Sequence, residues 1–268
     1  MHAGAAIRAT IEGMKLTILG CTGSLPGPEG PASGYLVEAE RMPGLVMDMG
    51  SGVLAQLEQV ANPSDVHVAL THLHPDHCSD FPSLMVWRRY HPTQPAAGRH
   101  LMFGPAHSEE RLGAASADVY GEIDNMADTF AFEQFHDRQT QIVDRLRLTP
   151  FEVIHPTQTF ALRVEEPATG VTVAYSADSA YTDALVECAR GADLFLCEAT
   201  WGATAQPEIP PMHLTGQEAG RIATEAGVKK LVLVHIPPWG DPEGALRGAR
   251  ETFAGPVELG RAGATYSL

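Results

Sequence analysis

The sequence predicts an α/β sandwich: two β-sheets packed face to face, with helices covering the outer faces. Three observations point there. Short runs of apolar, β-branched residues recur in both halves of the chain. Helical segments are interspersed with these runs, as sheets that need cover on their outer faces require. Residues able to bind metal stand repeatedly where an apolar run stops, as expected if strand ends open onto a common cleft.

Taken in order, strands are expected at about 15–20, 34–38 and 44–48, then a helix at about 53–60 and a strand over 66–70. Gly20, Gly23, Gly27, Gly30 and Gly34, with Pro26, Pro28 and Pro31, break the first connection into a tight surface loop. Their spacing fits neither a dinucleotide fingerprint nor a phosphate-binding loop. A helix through 84–90 stops at His91-Pro92. Its Leu84, Met85 and Trp87 read as packing residues, and the helix carrying Trp87, Arg88 and Arg89 reads either as covered or as a symmetric homodimer contact. In the C-terminal half, strands are expected at 151–154, 159–164, 171–175, 194–197 and 231–234, with helices over 180–190 and 215–226, the latter capped by Thr215. Residues 1–13 read as an N-terminal appendage and 14–268 as a single domain. The polar stretch around 104–145 carries no clear period and reads as an inserted cap or a partner surface.

Lys and Arg total 18 against 33 Asp and Glu, giving a formal charge of −15. That balance opposes extensive contact with phosphate backbones, so neither extended nucleic acid nor an anionic membrane is an expected partner. A small anionic substrate remains compatible, because bound divalent ions can dominate the local field. Cys21, Cys78, Cys188 and Cys197 form no CxxC pair and read as free thiols in a reducing cytoplasm. Cys78, beside His77, reads as a core position rather than a ligand. No segment approaches the length of a membrane span, and the N-terminus lacks the apolar stretch of a signal peptide.

The chemistry is concentrated in Thr71-His72-Leu73-His74-Pro75-Asp76-His77. His72 and His74 are two apart, so in an extended chain both side chains leave on the same side and can close on one metal ion. Pro75 biases His74 away from helical dihedrals and suits the first position of a helix. Asp76 and His77 then fall on the first helical turn, aimed differently, where they can hold a second ion. Three more candidates stand where strands run out: His155, Asp178 and His235. A lone histidine at a strand end is ordinarily structural, but recurrence beside HxHxDH favours a shared metal centre.

On these residues the chain resembles the metallo-β-lactamase superfamily. The match runs from Met14 nearly to the C-terminus through Gly20-Cys21-Thr22-Gly23-Ser24, Val46-Met47-Asp48-Met49-Gly50, HxHxDH, a lone His, a lone Asp and a final His. The resemblance implies the αββα fold of that superfamily, and a ligand set in which His72, His74 and His155 hold one ion, Asp76, His77 and His235 the other, and Asp178 bridges. Asp48 would be a buried brace behind the ligands. Aspartate rather than cysteine at the bridging position points away from the lactam-cleaving branch, toward hydrolases such as phosphodiesterases.

Glu198-Ala199-Thr200 and His213-Leu214-Thr215 are similar to the ribonuclease Z branch, where a glutamate and a histidine form a relay beside the metals. By that resemblance the catalytic residues are Asp76, His213 and Glu198. Only 22 residues separate His155 from Asp178, too few for that branch's transfer RNA arm. Gly30-Pro31-Ala32-Ser33-Gly34-Tyr35-Leu36, 86–92, 111–116 and His235-Ile236-Pro237-Pro238-Trp239 look like bacterial atypical class II cyclic-nucleotide phosphodiesterases. The expected protein is therefore a cytoplasmic hydrolase with two divalent ions, zinc favoured and manganese or iron tolerated. It would cleave a small phosphodiester such as 3′,5′-cyclic AMP. The alternatives are a ribonuclease Z-like endonuclease, a thioester or lactone hydrolase on the same metal core, and a non-enzymatic metal-binding scaffold.

Overall fold

The structure is a computed structural model that describes residues 13–204 and 212–268. Except for Gly13, the expected N-terminal appendage lies outside the described residues.

The first sheet is built from β1 (Met14–Gly20), β2 (Gly34–Ala39), β3 (Gly44–Met47), β4 (Val66–Ala69), β5 (His100–Gly104) and β6 (Phe130–Gln134). The second takes β7 (Gln141–Val143), β8 (Leu146–Glu152), β9 (Phe160–Glu166), β10 (Val171–Tyr175), β11 (Leu194–Glu198), β12 (Leu231–Val234) and β13 (Val257–Leu259). A last strand, β14 (Thr265–Ser267), returns to the first sheet beside β1. The strand orders are β14-β1-β2-β3-β4-β5-β6 and β13-β12-β11-β10-β9-β8-β7. In each sheet a parallel series, β3 to β6 or β10 to β13, sits beside an antiparallel one.

Three buried clusters define the layers. Leu16, Ile18, Tyr35, Leu148, Leu162, Val173 and Val232 lie between the sheets. Val46, Val68, Leu70, Leu84 and Leu112 pack the first sheet against α1 (Val53–Val60), α3 (Phe81–Tyr90) and α4 (Ser108–Ser116). Phe195, Leu233, Ile222 and Ala249 pack the second against α5 (Asp183–Ala189), α6 (Gly216–Ala226) and α7 (Pro242–Thr252). The αββα sandwich is therefore the observed architecture. It also explains why the central strands read as continuous apolar runs: in β12, Val232 and Val234 join the inter-sheet core while Leu231 and Leu233 face the helices.

Several boundaries differ from expectation, each for a local reason. β3 ends at Met47, because Asp48 has a left-handed φ of 62° that turns the chain out of the sheet. β8 runs Leu146–Glu152 rather than 151–154, so His155 lies beyond the strand end and Ile154 is exposed. The expected helix over 180–190 is Asp183–Ala189, starting where Thr182 accepts a hydrogen bond from Ala184 N–H. Thr215 caps α6 as expected, in a reciprocal capping box with Glu218.

The largest correction concerns 104–145. That stretch is neither cap nor insertion: it carries α4, a 3-10 turn at Met126–Asp128, and β6 and β7, the edge strands of the two sheets. Edge strands are exposed on one side and so lose the apolar signature of central strands.

Arg88 also departs from a contact role. It is 1% exposed, donates to Thr129 Oγ1 at 2.6 Å and to the Ser64 and Thr129 carbonyls at 3.1 and 3.0 Å, and lies over the Phe130 ring. It is an internal brace between α3 and the loops below it. On the same helix, Val86 and Tyr90 are the exposed apolar residues. The 22 residues between His155 and Asp178 are occupied by β9, β10 and their short connections, with no room left for a protruding arm.

Candidate metal centre

The ligand candidates come from ends of strands in both sheets. Beyond β4 the chain stays extended through His74, whose φ and ψ are −69° and 150°, and then turns into α2 (Pro75–Cys78). That switch at Pro75 is the one the motif predicts. Gly50, just past β3, lets the chain pass directly behind it: a Cβ there would lie 2.0 Å from the Asp76 carbonyl oxygen. His155 follows β8, Asp178 follows β10 and His235 follows β12.

The side chains converge as two adjoining groups. In the first, His72 Nε2 and His155 Nε2 each lie 3.1 Å from His74 Nδ1. In the second, His77 Nε2 lies 3.3 Å from His235 Nε2 and 3.5 Å from Asp76 Oδ2, and His235 Nε2 is 3.0 Å from Asp76 Oδ2. Asp178 stands between them. Its Oδ2 is 3.8 and 3.9 Å from His72 and His155 Nε2, and its Oδ1 is 3.3 Å from both His77 and His235 Nε2. In each group the donor atoms lie within 4.8 Å of one another. These separations bracket the edge of a tetrahedral zinc site, about 3.3 Å for bonds of about 2.0–2.1 Å.

Two observations test whether this set suits a cation. Asp178 Oδ1 is buried and has no hydrogen-bond partner among the described residues. An orphaned carboxylate oxygen is costly unless something positive sits beside it. Secondly, the outer ring nitrogens are already engaged. His77 Nδ1 lies 2.8 Å from Asp48 Oδ2, His155 Nδ1 lies 3.1 Å from the Met212 carbonyl, and His72 Nδ1 lies 3.0 Å from the Thr71 hydroxyl. With the outer nitrogens donating, the inner Nε2 lone pairs face one another, an arrangement that a bound cation satisfies.

Asp48 anchors this support. Fully buried, it accepts from Thr71 N–H at 2.8 Å, from the Thr71 hydroxyl at 2.9 Å and from the Tyr175 hydroxyl at 3.0 Å, besides His77. The sequence identifies Asp48 as a brace but gives no sign of Thr71 or Tyr175. Cys78 joins neither group; burial pushes its thiol up to about 11, which fits a core residue.

Electrostatics separate the groups. Burial, followed by the charge of neighbouring imidazoles, holds His72 well below the usual histidine range, and burial lowers His74 and His155 as well. These rings are neutral donors. Burial opposes charge on His77 too, but Asp178 and Asp48 outweigh it and raise that ring. Asp178 and Asp76 are lowered despite burial because histidines surround them.

Next to this centre, Glu198 ends β11 and is wholly buried. Its Oε1 accepts from Ser179 N–H at 2.7 Å and lies 2.9 Å from His213 Nδ1. His213 Nδ1 is 4.0 Å from Asp178 Oδ2, and its ring stacks on His235 at 5.6 Å. Burial works against a charge on His213, yet the Glu198 carboxylate prevails and pushes it up to about 9.

Two groups of converging His and Asp side chains, at the end of an αββα sandwich and flanked by a carboxylate-oriented histidine, define a metal-dependent hydrolase. Residues 45–236 match the family model of the β-lactamase superfamily domain, and the chain belongs to that superfamily. The uncharacterized protein Rv1339 of Mycobacterium tuberculosis is 49% identical over 249 residues, covering 92% of this chain and 90% of that protein. The crystal structure of YhfI from Bacillus subtilis, a metallo-β-lactamase fold protein, superimposes with a TM-score of 0.83 at 27% identity, covering 95% and 99% of the two chains. A ribonuclease Z of Myxococcus xanthus is 38% identical over 105 residues, 38% of this chain and 34% of that one. Among the described residues no helix is long and apolar enough to cross a membrane.

Proposed function

We propose that this hydrolase is a dinuclear phosphodiesterase acting on a small phosphodiester, with 3′,5′-cyclic AMP or another cyclic nucleotide as substrate. In this reading His72, His74 and His155 hold one ion, Asp76, His77 and His235 hold the other, and Asp178 is shared. Nitrogen and oxygen donors at tetrahedral spacing favour zinc. Two such ions, when bound, supply Lewis-acid stabilisation and a nucleophile competent at neutral pH.

The observation that carries the reading is the Glu198–His213 pair beside a carboxylate shared by both groups. His213 Nδ1–H donates to Glu198, which leaves Nε2 as the atom that can give a proton to the departing ribose oxygen. Asp48, Thr71 and Tyr175 keep His72 and His77 aimed inward. A cytoplasmic setting is consistent with four free cysteines. A small substrate, rather than a folded RNA, is supported by the net charge of −15 and by the short β9–β10 connection.

Metal-loaded protein is expected to open 3′,5′-cyclic AMP and to leave a transfer RNA precursor largely uncut, measured by product analysis on both. Efficient, accurate cleavage of the precursor with no cyclic AMP turnover would instead support a ribonuclease Z-like endonuclease, the reading that the Myxococcus xanthus relative favours.

The acid role fixes the direction of the pH dependence. The protonated form of His213 prevails below its pKa, so cyclic AMP hydrolysis should fall as pH rises through that value. The pKa is about 9 in the metal-free arrangement, and bound cations would move it lower. Glu198→Gln removes the charge that raises it, and the alkaline limb of the rate profile should move to lower pH. An unmoved limb would detach Glu198 from the proton donor.

A further inference from the structure

Thr200 sits two residues beyond Glu198, on the same exit from β11. It is 5% exposed. Its hydroxyl oxygen lies 2.9 Å from the His235 backbone carbonyl and 3.0 Å from His235 Nδ1. The carbonyl oxygen can only accept, so the single hydroxyl proton of Thr200 is committed to it. Toward Nδ1 the hydroxyl can then only accept, and Nδ1 must carry the hydrogen. A neutral His235 is thereby confined to the tautomer whose Nε2 has its lone pair directed at Asp76, His77 and Asp178.

The same contact acts on the backbone. His235 has a left-handed φ of 55°, an uncommon and costly conformation for a residue with a side chain. Its N–H donates to the Cys21 carbonyl at 2.8 Å and its carbonyl is held by Thr200, so both sides of the strained residue are tied. Gly23 closes the third side: a Cβ there would lie 2.5 Å from the His235 carbonyl oxygen and 3.0 Å from Nδ1.

We infer that Thr200 is a positioning residue for the second ion: through one hydroxyl it sets both the ring tautomer and the backbone conformation of His235. The inference rests on the proposed dinuclear centre and adds a division of labour at the end of β11. Glu198 orients the proton donor His213, and Thr200 orients the ligand His235, whose ring is stacked on His213.

The test compares zinc-loaded wild type, Thr200→Val and Thr200→Ser under competition with chelators of graded affinity, reading zinc retained per chain. Valine keeps the branched shape and removes the hydroxyl; serine keeps the hydroxyl. The expected result is that Thr200→Val holds one ion as wild type does and binds the other about 10–100-fold more weakly, the cost typical of losing a partner behind a ligand. Thr200→Ser should lie near wild type. Because the ion at His72, His74 and His155 is an internal control, a general loss of folding would weaken both ions together and overturn the inference, as would two ions held undiminished in Thr200→Val. A wild-type chain that holds no second ion would overturn the dinuclear reading itself and the inference with it, whereas two tightly held ions in both wild type and Thr200→Val would sink the inference alone.

Discussion

Replacing Asp178 by Ala is expected to lower activity by at least ~100-fold and to weaken the binding of both ions. Losing a group behind a metal ligand already costs about 10–100-fold in affinity or activity, and Asp178 offers one oxygen to each ligand group. Its removal also leaves His77 without the carboxylate that contributes most to raising its pKa. Rate and metal content measured on the same preparation check this. A fully metallated, fully active Asp178→Ala protein would end the bridging assignment.

The second large effect concerns His213 and depends on the leaving group. General-acid catalysis contributes about 10²–10⁴-fold only where the departing oxygen needs a proton. A ribose alkoxide is strongly basic and a nitrophenolate is not. His213→Ala should therefore slow cyclic AMP hydrolysis by ~10²–10⁴-fold, affect bis(p-nitrophenyl) phosphate far less, and leave metal content unchanged. Glu198→Gln should show the same selectivity more weakly, because the imidazole remains while its 2.9 Å partner loses its charge. Equal losses on the two substrates would place His213 in binding or support rather than proton transfer.

Much of the candidate metal centre is legible in the sequence because its chemistry and its backbone requirements coincide. In HxHxDH, Pro75 separates an extended pair from a helical pair, and the observed dihedrals at His74 follow that division. His155, Asp178 and His235 were visible only as polar residues beyond apolar runs, and the resemblance supplied their grouping. The supporting residues were hidden for a physical reason. Thr71, Tyr175 and Thr200 are ordinary residues of buried strands and their exits; each acquires a role only when folding sets it against a residue from elsewhere, as Tyr175 does against Asp48.

The same limit applies to 104–145. β6 and β7 are edge strands, half exposed and short, so alternation and hydrophobicity are weak, although they close the two sheets. Helix α7 carries local signals in Asp241-Pro242, an N-cap followed by proline at the first helical position. For the helix carrying Arg88 the sequence leaves a covered role and a homodimer contact open, and Arg88 itself is buried. Its burial depends on carbonyls from residues 64 and 129 that no local pattern announces.

Whether two ions share the Asp178 carboxylate is answered by anomalous scattering from crystals of the metal-loaded protein. Two peaks about 3.5–4 Å apart are expected, one among His72, His74 and His155, the other among Asp76, His77 and His235, with the Asp178 carboxylate between them. A single peak, or two peaks of which Asp178 touches only one, would contradict that sharing.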